Sequence, residues 1–384
     1  MGKYVYSFGG TKAEGSGQDR ELLGGKGAGL AEMTRIGLPV PAGFTITTEC
    51  CRYYHGHNKH WPKGLEKQLH EAGHKLEHTC GKKFGDKKNP LLVSVRSGAA
   101  KSMPGMMETI LNLGLNDESM EGLARASGDR RFALDAYRRL IMMYGSTAVG
   151  VPRELFDQAF AGLKEERTRA RLSWRGGAPI PDTEVDEDEL AELVEQFKRI
   201  YQEQAGKPFP QDPFEQLFGA INAVFDSWMM DKAVTYRRLE KISRLGGTAV
   251  NVQEMVFGNM GRDSGTGVCF TRDPSWGENV FYGELLMNAQ GEDVVAGIRT
   301  PIPLQEMGRL LPQAALQLQA VRVLLELHYR DMQDLEFTIE RGKLYMLQCR
   351  TGKRSPMATF RIAVEQATRP LLDKASIDRL IKAR

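Results

Sequence analysis

The segment Asp334-Leu335-Glu336-Phe337-Thr338-Ile339-Glu340-Arg341-Gly342-Lys343-Leu344-Tyr345-Met346-Leu347-Gln348-Cys349-Arg350 carries the richest chemistry in this sequence. Polar and apolar residues alternate along its first arm, so Asp334 and Glu336 share one face of a strand while Leu335, Phe337 and Ile339 take the other. The second arm can return in two ways. A two-residue turn at Arg341-Gly342 would send Gln348 and Arg350 to the opposite face, whereas a three-residue turn, Glu340-Arg341-Gly342 with Gly342 left-handed, would bring them to the carboxylate face. The three-residue turn is the one expected. The resulting face joins hard oxygen ligands for Mg2+ to a phosphate-binding cation. Its bland competitor is a solvated hairpin with cross-strand ion pairs.

Two further segments offer cations. In Leu22-Leu23-Gly24-Gly25-Lys26-Gly27-Ala28-Gly29-Leu30 a glycine loop opens a helix, where bare N–H groups and the Lys26 ammonium could cradle a phosphate. The loop is neither GxxxxGK[ST] nor GxGxxG, so taken alone a tight structural turn is the readier reading and phosphate binding the alternative. Leu91 to Gly98 reads as a buried strand that delivers Arg96 to its end, where a guanidinium can clamp two phosphate oxygens. Met103, Met106 and Met107 beyond it could form an adaptable binding surface but are read as core. A rival motif is His70-Glu71-Ala72-Gly73-His74, an HExxH with His78 on the same helical face. Gly73 weakens that helix and its flanks are rich in Lys and His, so zinc-protease chemistry is the remote alternative and a solvated helix the expectation.

The elements that must hold these groups follow from pattern. Glycine is in excess, 41 of 384 residues against a usual ~7%. It clusters beside short β-branched or aromatic runs at residues 22–29, 97–114, 246–267 and 277–297. From Asp129 to about Lys241 apolar residues recur at helical spacing (Leu134, Tyr137, Leu140, Ile141, Tyr144), with a Gly/Pro-rich, acidic linker at 168–189 before a new helix at Leu190. From Gly247 to about Arg350 a period of two predicts strands, interrupted by a helix near 316–329. No internal repeat is visible.

Composition excludes several classes. With 52 Lys and Arg against 49 Asp and Glu, the net charge of +3 argues against a nucleic-acid stripe. No run of roughly 18 apolar residues suggests a spanning helix. Five cysteines, without any CxxC, read as reduced thiols rather than a disulfide framework or zinc site. The N-terminal MGKYVYSFGG shows neither a signal peptide nor a myristoylation pattern, so a cytoplasmic address is expected.

Taken together, LLGGKGAGLAEM, LLVSVRSGAAKSMPGMMETILNLGLND, GTAVNVQEMVFGN, SGTGVCFTRDPS, NAQGEDVVAG and DMQDLEFTIERGKLYMLQCRTGKR resemble the N-terminal nucleotide-binding portion of the pyruvate, phosphate dikinase family over nearly the whole chain. The most specific stretch is SMPGMMET after SVRSGA. The resemblance implies an α+β, ATP-grasp-like fold with two β-rich lobes around an ATP cleft and an inserted helical subdomain. It also implies a reaction in which ATP gives its β-phosphate, with inorganic phosphate as co-substrate, to a histidine that later passes it to pyruvate. By the same resemblance Lys26, Arg96, Glu292, Asp334, Glu336, Gln348 and Arg350 line the MgATP pocket and Arg139 assists. Lys26 and Arg96 would neutralise the triphosphate, Glu336 and Gln348 would hold Mg2+, and Arg350 would meet charge on the transferred group.

Expected divisions are 1–115 for an N-terminal lobe, 116–211 for the helical subdomain, 212–355 for the remainder with the metal-binding hairpin, and 356–384 for a helical tail. None of the seven histidines has the family's Gly-rich Thr-Ser-His setting. The chain should therefore depend on a phosphohistidine domain in cis or trans, and the resemblance allows a homodimer through domains not present here. The competing functional class is a catalytically silent nucleotide-binding module that regulates or scaffolds a partner. Because the basic groups and the carboxylates are far apart in sequence, the expected pocket opens and closes by a hinge.

Overall fold

The computed structural model describes residues 2–101, 103, 105–171, 180–242, 245–296 and 299–368. In chain order the first elements are β1 (Val5–Gly9), β2 (Lys12–Ala13), α1 (Arg20–Arg35), β3 (Gly43–Ile46), α2 (Thr48–Gly56) and α3 (Leu65–Cys80). There follow β4 (Val93–Gly98), β5 (Thr109–Leu113), α4 (Asp117–Ser127), α5 (Arg130–Tyr144), α6 (Arg153–Arg171), α7 (Glu187–Ala205), α8 (Pro213–Ser227), α9 (Asp231–Leu239) and β6 (Ala249–Glu254). The last third contains β7 (Gly265–Phe270), β8 (Tyr282–Met287), α10 (Gly291–Ala296), β9 (Ile302–Pro303), α11 (Met307–Leu310), α12 (Pro312–Tyr329), β10 (Gln333–Glu340), β11 (Lys343–Thr351) and α13 (Pro356–Thr368).

These elements form two compact units. The first comprises Met1–Ser7, Asp19–Gly27 and Ala42–Met255; the second comprises Phe8–Gln18, Ala28–Pro41 and Val256–Arg384. In the first unit β6 is central, pairing antiparallel with β3 on one side and β4 on the other, while β4 also pairs with β5. Val250 and Val252 of β6 and Val93 and Val95 of β4 are wholly buried, as expected for strands covered by helices. The helical stretch expected from Asp129 to Lys241 is present as α5 to α9. Its ends carry polar caps: Asp129 accepts from the Phe132 amide, and Asn116 and Asp186 each form reciprocal capping boxes with Ser119 and Glu189. The linker expected at 168–189 begins later than its composition suggested. Helix α6 runs on to Arg171 because its polar residues are good helix formers, α7 already starts at Glu187, and residues 172–179 lie outside the described residues.

The second unit is organised on a five-stranded antiparallel sheet in the order β11-β10-β7-β8-β9. One face of it is covered by α12, through Leu318, Val321 and Leu325, and by Leu30 and Met33. Leu335, Phe337 and Ile339 of β10 are fully buried in this core. Each contributes about 1.5–3 kcal/mol by leaving water. That burial fixes which way β10 faces, since a slip of one residue would drive Asp334 and Glu336 into the apolar layer. All five cysteines are free, and burial pushes the Cys50 and Cys51 thiols up to about 12. No helix of the described residues is long and apolar enough to cross a membrane.

Candidate functional site

In the first unit the glycine loop proves to be a break inside a helix. Helix α1 starts at Arg20, is interrupted at Gly24 (φ 68°, ψ 169°), and resumes at Gly25, so Lys26 sits in the first turn after the break. Only glycine fits position 24: the left-handed backbone disfavours a side chain, and a Cβ there would overlap the Gly98 carbonyl oxygen. The restarted helix is held against the end of β4 by the Gly25 amide, which donates to the Ala99 carbonyl at 2.9 Å. The turn is structurally required, and it presents Lys26 beside β4.

Arg96 lies within β4, two residues before its last, rather than at the strand end; Ser97 and Gly98 extend the ladder by pairing with Val250 and Ala249. It is half-buried and stands opposite Thr109 on β5 and Asn251 on β6. Met103 is buried, whereas Met106 and Met107 are only half-buried, so the core assignment holds for the first of the three. Arg139 is on α5, where its Nε donates to Asp135 Oδ2 at 2.9 Å. Asp135 also receives Arg138 at 2.6 Å. Burial alone would push the Asp135 carboxyl up, but the Arg138, Arg139 and Arg131 guanidiniums more than reverse this and hold it below the ordinary range.

In the second unit the hairpin corrects the expected turn. Glu340 pairs with Lys343, leaving a two-residue loop, Arg341-Gly342, with both residues at positive φ (48° and 76°). This is a tight turn whose twist matches that of the strands. By itself it would send Gln348 and Arg350 to the apolar side. Instead the register shifts at Glu336/Phe337: Phe337 pairs with Met346, but Glu336 pairs with Gln348 and Asp334 with Arg350. Leu347 is the extra residue of a β-bulge, and it restores the phase that the longer turn was expected to supply. Met346 and Cys349 can then both remain in the core while Gln348 and Arg350 join the carboxylates.

The outcome is the expected face by a different route. Arg350 Nε donates to Asp334 Oδ2 at 2.7 Å, with the Asp334 side chain 12% exposed and that of Arg350 44% exposed. Burial pushes the Asp334 carboxyl up from its ordinary value; the Arg350 hydrogen bond and charge pull it down, Glu336 adds a further upward push, and Lys353 pulls down again. Lys353 is a neighbour that the strand pattern could not reveal, because it lies beyond the last residue of β11. Glu292 falls in α10, with its side chain outside the described residues. The rival HExxH lies on α3 as a helix with local partners: the His70 ring packs on Phe214 (centroids 4.5 Å apart), Glu71 pairs with Lys67 and His74 bonds to Glu77. Among the described residues no three His, Cys, Asp or Glu side chains are grouped to hold a metal.

Two antiparallel sheets, of six and five strands, with helices inserted along the chain, belong to a fold of the ATP-grasp type. Residues 20–63, 57–305 and 302–369 match the family described as pyruvate phosphate dikinase, AMP/ATP-binding domain, and the chain belongs to that family. It is 50% identical to a pyruvate, phosphate dikinase of Rhizobium meliloti over 99% of this chain and 44% of the relative. It is 52% identical to the enzyme of Clostridium symbiosum over 95% of this chain and 40% of that protein. A chloroplastic pyruvate, phosphate dikinase of Flaveria trinervia is 50% identical over 97% of this chain and 38% of its own length. The chain thus spans about two fifths of the length of these relatives.

Proposed function

We propose that this chain is the nucleotide-handling domain of a pyruvate, phosphate dikinase, binding ATP with Mg2+ and working with a phosphohistidine domain in cis or trans. The observation that carries the reading is the hairpin face, where the Asp334–Arg350 ion pair stands next to the directly opposed Glu336 and Gln348. A purely structural hairpin would gain little from this set, since a half-exposed ion pair contributes at most about 1 kcal/mol. Oxygen donors from Glu336 and Gln348 suit a hard divalent cation, and we assign Mg2+ to them. When bound, that ion would neutralise phosphate charge.

The remaining roles are assigned to this chain's own groups. Lys26 and Arg96 hold triphosphate oxygens, Arg139 assists them, and Glu292 and Asp334 contribute to nucleotide binding. Arg350, kept in place by Asp334, meets charge on the phosphoryl group as it leaves, which is where a fixed guanidinium stabilises most. In balance, the β-phosphoryl group passes to a histidine and the γ-phosphoryl to inorganic phosphate, leaving AMP and diphosphate. We assign the chain a cytoplasmic address, although the Flaveria trinervia relative is named as chloroplastic.

The test is to mix the chain with a separately produced phosphohistidine domain, ATP, Mg2+ and phosphate, and to follow AMP, diphosphate and acid-labile phosphate on the histidine domain. All three should appear together and should be lost in Arg350→Ala. Nucleotide binding with no AMP formed would instead support a silent nucleotide-binding module.

A further inference from the structure

Strand β6 carries a buried polar residue, Asn251, between Val250 and Val252. Asn251 is 1% exposed, and its flanking Val250 and Val252 are wholly buried on the other face of the strand. A buried carboxamide costs free energy unless its donors and acceptor are matched, so its surroundings explain its presence. Its Oδ1 accepts from the Thr45 hydroxyl at 3.0 Å, and its Nδ2 donates to the Arg96 carbonyl at 3.5 Å. Thr45 and Arg96 are its register partners on β3 and β4, so the three residues form one row across the sheet.

The same carboxamide touches the segment that carries Lys26. A Cβ built at Gly27 would stand 2.9 Å from Asn251 Oδ1 and 2.7 Å from the Thr45 methyl; one built at Gly98 would stand 2.5 Å from Asn251 Nδ2 and 3.5 Å from Lys26 Cβ. Gly27 and Gly98 are therefore bare on the sides that meet Asn251. The amide fills a space bounded by the restart of α1, the carbonyl of Arg96 and the end of β4, all within the first unit.

We propose that Asn251, held by Thr45, is a positioning residue that sets the spacing of Lys26 and Arg96 and thereby their joint grip on a polyphosphate. This rests on the reading of those two cations as phosphate ligands. A carboxamide suits the task because it is planar and its two ends are different: one accepts from Thr45 while the other donates to Arg96. Asn251→Leu keeps the bulk and removes both bonds. Asn251→Asp keeps the shape but turns an acceptor toward the Arg96 carbonyl. Thr45→Val removes only the hydroxyl that orients the amide, and Thr45→Ser retains it.

The experiment compares MgATP and AMP binding by calorimetry in the wild-type chain and these four variants, with melting temperatures taken alongside. AMP has one phosphate and ATP three, so a displaced cation pair should lower ATP affinity more than AMP affinity. A small misplacement of charged ligands is expected to cost about tenfold or more. The expected result is a fall of about tenfold for ATP and under about threefold for AMP in Asn251→Leu and Asn251→Asp, an intermediate effect in Thr45→Val, and wild-type behaviour in Thr45→Ser. If the Asn251 variants do not fold, the Thr45 pair carries the test. An unchanged ATP-to-AMP ratio in folded Asn251 and Thr45→Val variants would overturn the positioning role while leaving the nucleotide reading intact. Absence of ATP binding in the wild-type chain would overturn the nucleotide reading and this proposal with it.

Discussion

At the scale of single residues, what each side chain offers beyond its charge decides how it can hold a phosphate. Arg96→Lys keeps the positive charge but replaces a planar fork with a point ammonium. MgATP affinity should fall by about 1–3 kcal/mol, the worth of a hydrogen bond to a charged group. Titration calorimetry checks this, and an unchanged affinity would make Arg96 structural. Asp334 gives a pH signature. Its carboxyl is raised above the ordinary value of about 3.9, so the folded chain holds that proton more tightly than the unfolded chain does. Without ligand, this group makes the fold more stable as pH falls through the window from its raised value to the ordinary one. Binding of a magnesium nucleotide requires the proton to leave, so affinity should weaken on acidification sooner than an ordinary aspartate would cause. Affinity measured from about pH 7 to about pH 4 should show this step in the wild type and not in Asp334→Asn. A step confined to the ordinary carboxylate range would contradict the role given to Asp334.

At the scale of elements, the hairpin shows what a strand pattern can and cannot reveal. Alternation along β10 was legible because Leu335, Phe337 and Ile339 are driven into the core, so the face shared by Asp334 and Glu336 could be read directly. The route by which Gln348 and Arg350 join them was not. A turn and a bulge can each correct the same phase error, and the local residues Met346-Leu347-Gln348 carry no mark of which one the chain uses. The turn itself is testable. Arg341 occupies a left-handed conformation that Asn adopts more easily, so Arg341→Asn should stabilise by roughly 0.5–1 kcal/mol, while Gly342→Val should destabilise by more than that. Chemical denaturation of both variants decides it; a destabilised Arg341→Asn together with an unaffected Gly342→Val would refute the two-residue turn. On α5, Asp135→Asn removes the nearer counter-charge of the buried Arg138 and should cost about 3 kcal/mol, near the lower end for a broken buried pair because Arg138 also has Asp182 at 4.0 Å and lies over the Phe160 ring. A loss under about 1 kcal/mol would mean that the pair is screened.

At the scale of the whole molecule, fold class and family were legible because glycine loops and strand patterns recur in a fixed order along nearly all of the chain, and the family match covers the same span. Less legible were packing relations set by residues distant in sequence. Asn251 lies 206 positions from the Thr45 hydroxyl that it accepts, and no local pattern could join them. The central proposal is that this chain binds a magnesium nucleotide and that Arg96 and Glu336 each contribute to the binding. The most direct measurement is titration calorimetry of MgATP into the wild-type chain, repeated with Arg96→Lys and Glu336→Gln. Saturable heat near one nucleotide per chain is expected, weakened by each substitution alone. No heat at millimolar MgATP, or binding indifferent to both substitutions, would contradict it.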